Sequence, residues 1–420
     1  MGSTSDTRVY RRKVFYIPGY DPFPPRRYRE LYRTEGAAQA AITGYSLTMG
    51  GGLDGDRFGW RVEAEIGGQR TDAEIEVLVW SDIVRDSRAQ SIPATYLSLV
   101  RTAWIYISTG ALWRLMRLRK GPVIAALYPI AMLIAQLVTA VLLGWLVWRG
   151  LESLLWLVLP VSFAGQTAAA VLTTVAAVLG MLSAIFLLRW FREADGKFFA
   201  YYLMHDFAHS AALKGAYPAS IRPRLKQFGD VIAAALHSDV DEVLVVGHSS
   251  GAHLAVTVLS DLLREERVPA RKPALGLLSL GHVVPMLSFL PDAQGLRRDL
   301  RNLSTREDLA WVDVTAPGDG CSFALCDPVS VSGQKTDQKR WPLVFSAAFT
   351  QSLSPARWRA LRWRFFRLHF QYLCAFDRPK DYDYFQITAG PVSLRERYSG
   401  RPASASRIDH SVSKFTSVDP

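Results

Sequence analysis

Residues 243–252 constrain the fold of this chain more than any other stretch, because they read Val-Leu-Val-Val-Gly-His-Ser-Ser-Gly-Ala. The apolar, β-branched run predicts a buried strand, and the sequence after Gly251 is typical of a helix. A strand that enters a helix through Gly-x-Ser-x-Gly must turn sharply, and the glycines let the two backbones pass close together. The turn therefore presents the Ser249 hydroxyl at the end of a strand, beside a helix N-terminus that favours negative charge.

The composition is typical of a folded protein that binds an anionic partner. Of the 420 residues, 49% are hydrophobic and 21% are charged, which excludes a disordered chain. The net charge of +11 favours an anionic partner. No nucleic-acid-binding module is recognisable, so we expect membrane lipids and no nucleic acid. Three cysteines without a Cys-x-x-Cys spacing indicate a reducing compartment rather than a disulfide framework or a zinc site. The polar N-terminus predicts no cleavable signal peptide.

Two long uncharged runs predict a transmembrane hairpin. No residue from Gly121 to Trp148 is charged, and about 20 apolar residues suffice to cross the hydrocarbon core. A second uncharged run is too long for one straight span, and Pro160 and Gly165 divide it. We expect an interfacial piece at 154–163 and a second span at 166–190. Small residues in the second span would let the two helices approach closely; they are Ala168, Ala169, Ala170, Ala176, Ala177 and Gly180.

The basic residues that flank the hairpin predict its orientation. The connection between the spans offers Arg149 and Glu152 alone, whereas the outer flanks carry Arg114, Arg117, Arg119, Lys120, Arg189, Arg192 and Lys197. The positive-inside rule therefore places both termini and the rest of the chain in the cytoplasm. We expect a multi-pass protein with two spans in the inner membrane of a bacterium.

The rest of the chain alternates between strand and helix patterns. Strands are predicted at 14–18, 60–66, 73–80, 243–246, 274–280, 309–314 and 384–387, and helices at 25–41, 93–118, 221–236 and 252–265. Such alternation indicates an α/β fold whose mostly parallel sheet is covered by helices on both faces and interrupted by the hairpin. We expect a flexible N-terminus at 1–9 and a flexible tail at 396–420. The folded domain is expected in two parts, at 10–120 and 193–395, with the hairpin between them at 121–192.

The chain resembles an α/β-hydrolase of the lipase and esterase type, interrupted by a transmembrane hairpin. The resemblance rests on Gly247-His248-Ser249-Ser250-Gly251, on the Pro18-Gly19-Tyr20 exit from the first strand, and on the order of the possible catalytic partners. It covers about residues 10–120 and 195–395. It implies a nucleophilic serine followed along the chain by an acid and then a histidine.

The resemblance also implies where the oxyanion hole lies. The backbone N–H of Ser250, the residue after the nucleophile, is one expected donor. The second would come from the loop after the first strand, at Gly19 or Tyr20. This loop reads Pro-Gly-Tyr-Asp and departs from the His-Gly-Gly loop of many lipases.

A serine hydroxyl needs a base to take its proton, and three histidines follow Ser249 at a distance. His282 directly follows a predicted strand and precedes any acid loop, and His410 lies in the predicted tail. His369 follows the acid candidates and begins a His-x-x-Tyr-Leu sequence similar to that of some lipases, so it is the predicted base. His253, on the helix after Ser249, is predicted to be packed.

The predicted acid is Asp319, because it lies in a turn directly after a predicted strand. Asp327, before a proline, is the second choice, and Asp313 lies within the strand itself. The alternative for each is an aspartate that caps its own turn.

Three other patterns compete for a function. His205 and His209 lie one helical turn apart, a zinc spacing, but no third ligand is evident, so we expect no metal. Arginines and aromatics alternate at 357–367, which suits either anionic headgroups or a basic helix that covers the sheet. The glycines at 50–55 lack the lysine of a phosphate loop and predict a flexible turn.

Together the resemblance and the hairpin imply a membrane-anchored serine ester hydrolase. An acyl-enzyme would form on Ser249 and be resolved by water, without a metal or an organic cofactor. The substrate would be an ester of lipid origin, because the hairpin ties the domain to a bilayer. An acyltransferase on the same fold and a non-catalytic membrane scaffold remain open as alternatives.

Overall fold

A computed structural model describes residues 8–21, 24–55, 57–88, 91–158, 166–269 and 273–419. The chain forms two compact units, of which the first comprises 1–86, 105–123 and 210–420 and the second 87–104 and 124–209. Most of the expected flexible N-terminus, at 1–7, lies outside the described residues, as do Pro160 and Gly165.

The first unit contains one sheet. Its strands are β1 Arg11–Ile17, β2 Ser46–Gly52, β3 Gly59–Ile66, β4 Gln69–Val77, β5 Glu242–His248, β6 Ala274–Leu280, β7 Leu309–Thr315 and β8 Leu343–Ser346.

Helices precede, interrupt and follow these strands. They are α1 Arg26–Thr43, α2 Ser81–Arg88, α3 Ile92–Ser108, α4 Ala111–Leu118, α5 Lys120–Val158, α6 Gln166–Glu193, α7 Asp195–Phe198, α8 Ala200–Ala211, α9 Arg222–Leu236, α10 Gly251–Arg264, α11 Val284–Ser288, α12 Gln294–Thr305, α13 Pro328–Val331, α14 Phe349–Ser352, α15 Pro355–Leu361, α16 Phe365–His369, α17 Tyr384–Ala389 and α18 Leu394–Arg397, with a 3₁₀ turn at Phe370–Leu373.

The eight strands lie in the order β2-β3-β4-β1-β5-β6-β7-β8. From β4 to β8 every neighbouring pair is parallel, and only β2-β3 and β3-β4 are antiparallel. The predicted α/β class with a mostly parallel sheet is confirmed. Parallel neighbours end at the same edge, so the loops after β1, β5, β6 and β7 meet there.

Both faces of the central sheet are covered. All seven residues of β5 are buried, and successive side chains of a strand point to opposite faces. Burial on both faces explains why this strand reads as a continuous apolar run rather than an alternating one. The outer strand β3 alternates instead, and it joins β4 through Gly67-Gly68, both with positive φ, as the predicted hairpin turn requires.

The second unit contains two helices long and apolar enough to cross a membrane, α5 and α6. They cross where two glycines meet, because a β-carbon on Gly180 would lie 2.4 Å from the carbonyl oxygen of Gly144. Ala176 and Gly180, two of the small residues predicted to allow close approach, are the buried residues of α6. The expected interfacial piece at 154–163 differs from the structure, since α5 continues unbroken to Val158; residues 159–163 lie outside the described part.

Several sequence predictions were wrong. Residues 384–387 form the start of α17, not a strand, because the Asp383 carboxylate accepts hydrogen bonds from Phe385 N and Gln386 N and caps a helix. Gly50 to Gly52 belong to the edge strand β2 rather than to a flexible turn. The predicted helix at 93–118 divides into α3 and α4 at Gly110, which has a φ of +73°.

The expected flexible tail differs most from the structure. Ile408 pairs with Cys326 and accepts a hydrogen bond from Asp327 N, and Ser404 N donates to Val344 of β8. Further along, Arg297 Nε donates to the carbonyl oxygen of Ser417. Backbone hydrogen bonds therefore hold this segment against the first unit, although its composition is that of a linker.

Candidate active site

Ser249 lies in the turn between β5 and α10 and has a φ of +57°, a conformation that a residue with a β-carbon rarely adopts. Its amide donates to the carbonyl oxygen of Leu280 at the end of β6, with an N–O distance of 2.9 Å. The residue is partly exposed between two buried neighbours, His248 and Ser250. The turn therefore holds one hydroxyl outward at the carboxyl edge of the sheet.

The glycines of this turn are required by close backbone approach. A β-carbon on Gly251 would lie 2.1 Å from the carbonyl oxygen of Ile17 in β1. A β-carbon on Gly247 would lie 2.7 Å from the α-carbon of Ala252 in α10. Neither distance is possible for a side chain, so Gly-x-Ser-x-Gly follows from the packing of helix, turn and neighbouring strand.

The loop after β1 lies directly against Ser249. A β-carbon on Gly19 would come within 2.9 Å of Ser249 Cβ and 3.4 Å of Ser249 Oγ. The amide of Tyr20 donates to Ser250 Oγ at 2.9 Å, so it is already occupied. The amides of Gly19 and Ser250 donate to no other group in the described part of the chain. Of the three residues predicted to donate to an oxyanion, Gly19 and Ser250 therefore have an unbonded amide and Tyr20 does not.

Asp319 and His369 form a buried pair. Asp319 lies in the turn after β7, and His369 is the last residue of α16; their side chains meet with 2.8 Å between Nδ1 and Oδ2. The same carboxylate oxygen accepts a hydrogen bond from the Tyr372 hydroxyl at 3.0 Å, and Oδ1 accepts one from the Cys321 amide. These donors fix the carboxylate in place, and the carboxylate in turn selects the imidazole tautomer that carries its proton on Nδ1.

The other nitrogen of His369 has no partner. Nε2 is buried and is bonded to no group of the described residues. Cε1, the ring atom between the two nitrogens, lies 3.1 Å from the position that a β-carbon on Gly281 would occupy. Gly281 follows Leu280, whose carbonyl oxygen binds the amide of Ser249. The imidazole thus lies beside the end of β6, where the Ser249 turn is attached, and no hydrogen bond joins its Nε2 to the Ser249 hydroxyl.

Electrostatics favours a charged acid in this pair. Burial alone would raise the pKa of the Asp319 carboxyl, but the adjacent His369 and the donated hydrogen bonds lower it below its usual value. A carboxylate that stays ionised can stabilise an imidazolium next to it.

His248 supports His369 from the Ser249 turn. Its ring packs on the His369 ring with 4.8 Å between centroids, and its Nε2 lies 3.0 Å from the carbonyl oxygen of His369. Burial, and then the proximity of His369, lowers the pKa of His248 to about 3. A neutral His248 with its proton on Nε2 can donate to that carbonyl, which holds the backbone of His369 in place.

The remaining acid candidates are occupied elsewhere. Asp327, the second choice, caps α13 through hydrogen bonds from Val329 N and Ser330 N and pairs with Lys339 at 2.7 Å. It is therefore the turn-capping aspartate that the alternative described. Asp313 is fully buried and accepts a hydrogen bond from Ser279.

The other histidines also have different surroundings. His282 is fully buried, with Nε2 3.0 Å from the carbonyl oxygen of Cys326 and 3.6 Å from the Asp313 carboxylate. His253 is packed, as predicted, with Nδ1 2.8 Å from the Tyr217 hydroxyl. His410 is exposed. His205 is buried near Thr95 in the second unit.

Among the described residues, one cluster has three potential metal ligands, namely Asp319, Cys321 and His369, whose ligand atoms lie within 4.8 Å of one another. Burial, and then the Asp319 carboxylate, raises the pKa of the Cys321 thiol well above its ordinary value. A metal needs the thiolate, and the carboxylate already binds His369 Nδ1, so the donor set suits an acid–histidine pair better than a metal.

Sequence reasoning missed three members of this site. Tyr372 was visible as the tyrosine of His-x-x-Tyr, but its bond to Asp319 was not foreseen. His248 and Cys321 had no signal beyond their proximity in sequence to Ser249 and Asp319.

Comparisons with protein-family models, with curated proteins and with solved structures found no match for this chain. The chemistry of the site is therefore inferred from its own residues.

Proposed function

We propose that this protein is a membrane-anchored serine ester hydrolase of the α/β-hydrolase type. The observation that carries the proposal is the buried Asp319–His369 pair, whose imidazole, with Nε2 unbonded, packs on His248 and lies beside the strand end that holds the Ser249 turn. A strained serine between a strand and a helix, together with an oriented imidazole, is the arrangement that nucleophilic acyl transfer needs.

In the proposed reaction Ser249 Oγ attacks the acyl carbonyl carbon of an ester while His369 Nε2 takes the hydroxyl proton. The ionised Asp319 stabilises the imidazolium that forms. The tetrahedral intermediate then collapses, and His369 gives the proton to the leaving alkoxide, which departs as an alcohol. A water molecule then repeats the sequence: His369 removes a proton from the water, whose oxygen attacks the acyl carbon. The second tetrahedral intermediate collapses with cleavage of the bond to Ser249 Oγ, His369 returns the proton to that oxygen, and a carboxylic acid leaves.

The amides of Ser250 and Gly19 are the proposed donors to the oxyanion. Both are free in the described part of the chain, and the Ser250 amide also lies at the N-terminus of the 14-residue helix α10. Tyr20 is no longer proposed as a donor, because its amide binds Ser250 Oγ.

A substrate of lipid origin and a cytoplasmic site are proposed from the second unit. Two helices apolar enough to span a membrane would keep the chain at a bilayer, where esters of lipids are concentrated. The basic residues outside the hairpin favour the cytoplasmic side for the remainder of the chain by the positive-inside rule. The bacterial inner membrane remains the proposed location.

Covalent labelling with a fluorophosphonate probe tests the proposed chemistry. We expect the full-length protein in detergent to be labelled and Ser249→Ala to be unlabelled. Ser238→Ala is the matched control, since it removes an exposed serine hydroxyl that follows α9 and bonds only to the carbonyl oxygen of Ala235. It should keep most of its labelling.

If the folded protein is not labelled by the probe, the proposed enzymatic activity is refuted and a non-catalytic scaffold is favoured. Labelled protein is then offered p-nitrophenyl esters of increasing chain length, with and without an acceptor alcohol. Faster release with long chains supports a lipid substrate, and a new ester formed from the alcohol would identify an acyltransferase.

A further inference from the structure

The segment from Pro355 to Arg367, which we call the Arg/Trp segment, comprises α15, a short connection and most of α16. It carries five arginines, and the sequence from Pro355 to Phe376 contains no acidic residue. Arg357 pairs with Glu35 and Asp377. The other four are exposed and form no ion pair with any described residue; they are Arg359, Arg362, Arg364 and Arg367.

Large aromatic rings lie among these free arginines. The side chain of Trp363 is 71% exposed and that of Phe365 is 49% exposed. Arg362 lies over the Trp363 ring at 5.5 Å. Water hydrates such rings poorly, and an exposed tryptophan beside cations is typical of side chains at a lipid headgroup interface.

The segment packs on the fold with only part of its surface. Helix α15 has no fully buried residue; Trp358 and Leu361 are partly buried against the hydrophobic core of the first unit, whereas the four free arginines stay exposed. Two contacts join the segment to one turn: a β-carbon on Gly318 would meet the Trp358 ring at 2.7 Å, and one on Gly320 would meet Phe365 at 3.4 Å. These glycines flank Asp319, so the segment is anchored on the turn that carries the acid.

We propose that the Arg/Trp segment docks on an anionic phospholipid surface, with its four free arginines against the phosphates and Trp363 and Phe365 among the headgroups. Four unpaired positive charges complement such a surface, and each basic residue near it adds attraction. The exposed rings favour a bilayer over a nucleic acid. Because the segment leads into His369, docking would hold the Asp319–His369 end of the site at the bilayer surface, an implication for substrate access that rests on the proposed function.

Hydrogen exchange measured by mass spectrometry tests the docking without reference to activity. Full-length protein is placed in nanodiscs of phosphatidylcholine alone, or of an equal mixture of phosphatidylcholine and phosphatidylglycerol. We expect the amides at 362–367 to exchange roughly tenfold more slowly in the anionic discs, and the difference to shrink at high salt. The variant Ser249→Ala should show the same protection, which separates docking from catalysis.

Two charge variants decide the interpretation. Replacing all four free arginines by glutamine, as R359Q/R362Q/R364Q/R367Q, should abolish the difference between the discs. The matched control removes the same charge from exposed arginines that are ion-paired elsewhere, and it should keep the difference; its substitutions are R33Q, R61Q, R70Q and R340Q.

Equal exchange in both discs, or equal loss in the two variants, would overturn the proposal. It would also be overturned if an added oligonucleotide protected the segment in neutral discs while anionic lipid did not.

Discussion

The closeness of Gly19 to Ser249 allows one substitution to test the oxyanion proposal. In Gly19→Ala the new methyl carbon would lie 2.9 Å from Ser249 Cβ and 3.3 Å from the carbonyl oxygen of His248. Carbon atoms in contact lie at about 3.5 Å or more, so the loop must retreat by roughly 0.6 Å. The φ of Gly19 is not in the positive range, so alanine is strained here by contact alone and not by its backbone angle.

A retreat of that size affects activity more than stability. Overpacking at one methyl group costs about 1–3 kcal/mol of unfolding free energy. The amide of Gly19 moves with the loop, however, and losing one oxyanion donor lowers the rate about 10²- to 10³-fold. We therefore expect the second-order rate constant of fluorophosphonate labelling to fall by about that factor, while the protein stays folded.

The assay compares the labelling rate and the melting temperature of Gly19→Ala with those of Gly295→Ala. Gly295 lies in α12 with no atom within 4 Å of its missing β-carbon, so its substitution introduces the same methyl group without a contact. Gly295→Ala should label at the wild-type rate. A folded Gly19→Ala that also labels at the wild-type rate would refute the place of the β1 loop in the oxyanion hole.

Three further predictions follow from the same geometry. Asp319→Asn removes the charge beside His369 and should slow labelling about 10³- to 10⁴-fold, whereas Asp327→Asn should lower only the melting temperature. Burial raises the pKa of Asp313 to about 6, above its unfolded value, so its contribution to stability is present at low pH and lost as the pH rises through about 6. Between about pH 4 and pH 7 the melting temperature of Asp313→Asn should therefore fall less than that of the wild type; an equal fall would exclude Asp313 as its source. Gly180→Ala should lower the melting temperature in detergent because its β-carbon would lie 2.4 Å from the Gly144 carbonyl oxygen, whereas Gly150→Ala, in open space, should not; equal effects would contradict the close crossing.

The sequence carried enough information for the nucleophile turn, and the reason is local. A buried parallel strand, two glycines and a following helix are all encoded within about ten residues. Asp319 and His369 were reached instead through their order along the chain, and the structure places their side chains 2.8 Å apart. That order is informative because the loops after parallel strands meet at one edge of the sheet.

The elements that could not be predicted depend on contacts between distant residues. The short, largely apolar run from Tyr384 to Ile387 suits a strand or a short helix equally well, and the Asp383 cap decides between them. The four-residue strand β8 exists because it pairs with β7, and its own sequence is too short to signal it. The tail reads as a linker since many of its bonds are made by its own backbone groups, which leave no trace in composition.

Tyr20 shows the same limit within the site. Its amide was an equal candidate for the oxyanion hole because it follows Gly19 in the same loop. Only the fold brings Ser250, which is 230 residues away, into hydrogen-bond distance of it. Ser250 thus uses its side chain to fix the β1 loop, and its own amide stays free.

The pairing of β1 with β5 explains how two distant parts of the chain form one site, although a unit with two long apolar helices lies between them in sequence. β1 precedes that unit and β5 follows it, yet the two strands pair in parallel with Ile17 opposite Gly247. The Gly19 loop and the Ser249 turn leave these paired strands two residues later. Their separation is therefore fixed by the hydrogen bonds of the sheet, and the intervening chain does not set it. It follows that the distance between the proposed oxyanion donors and the proposed nucleophile depends on sheet register and not on the inserted unit.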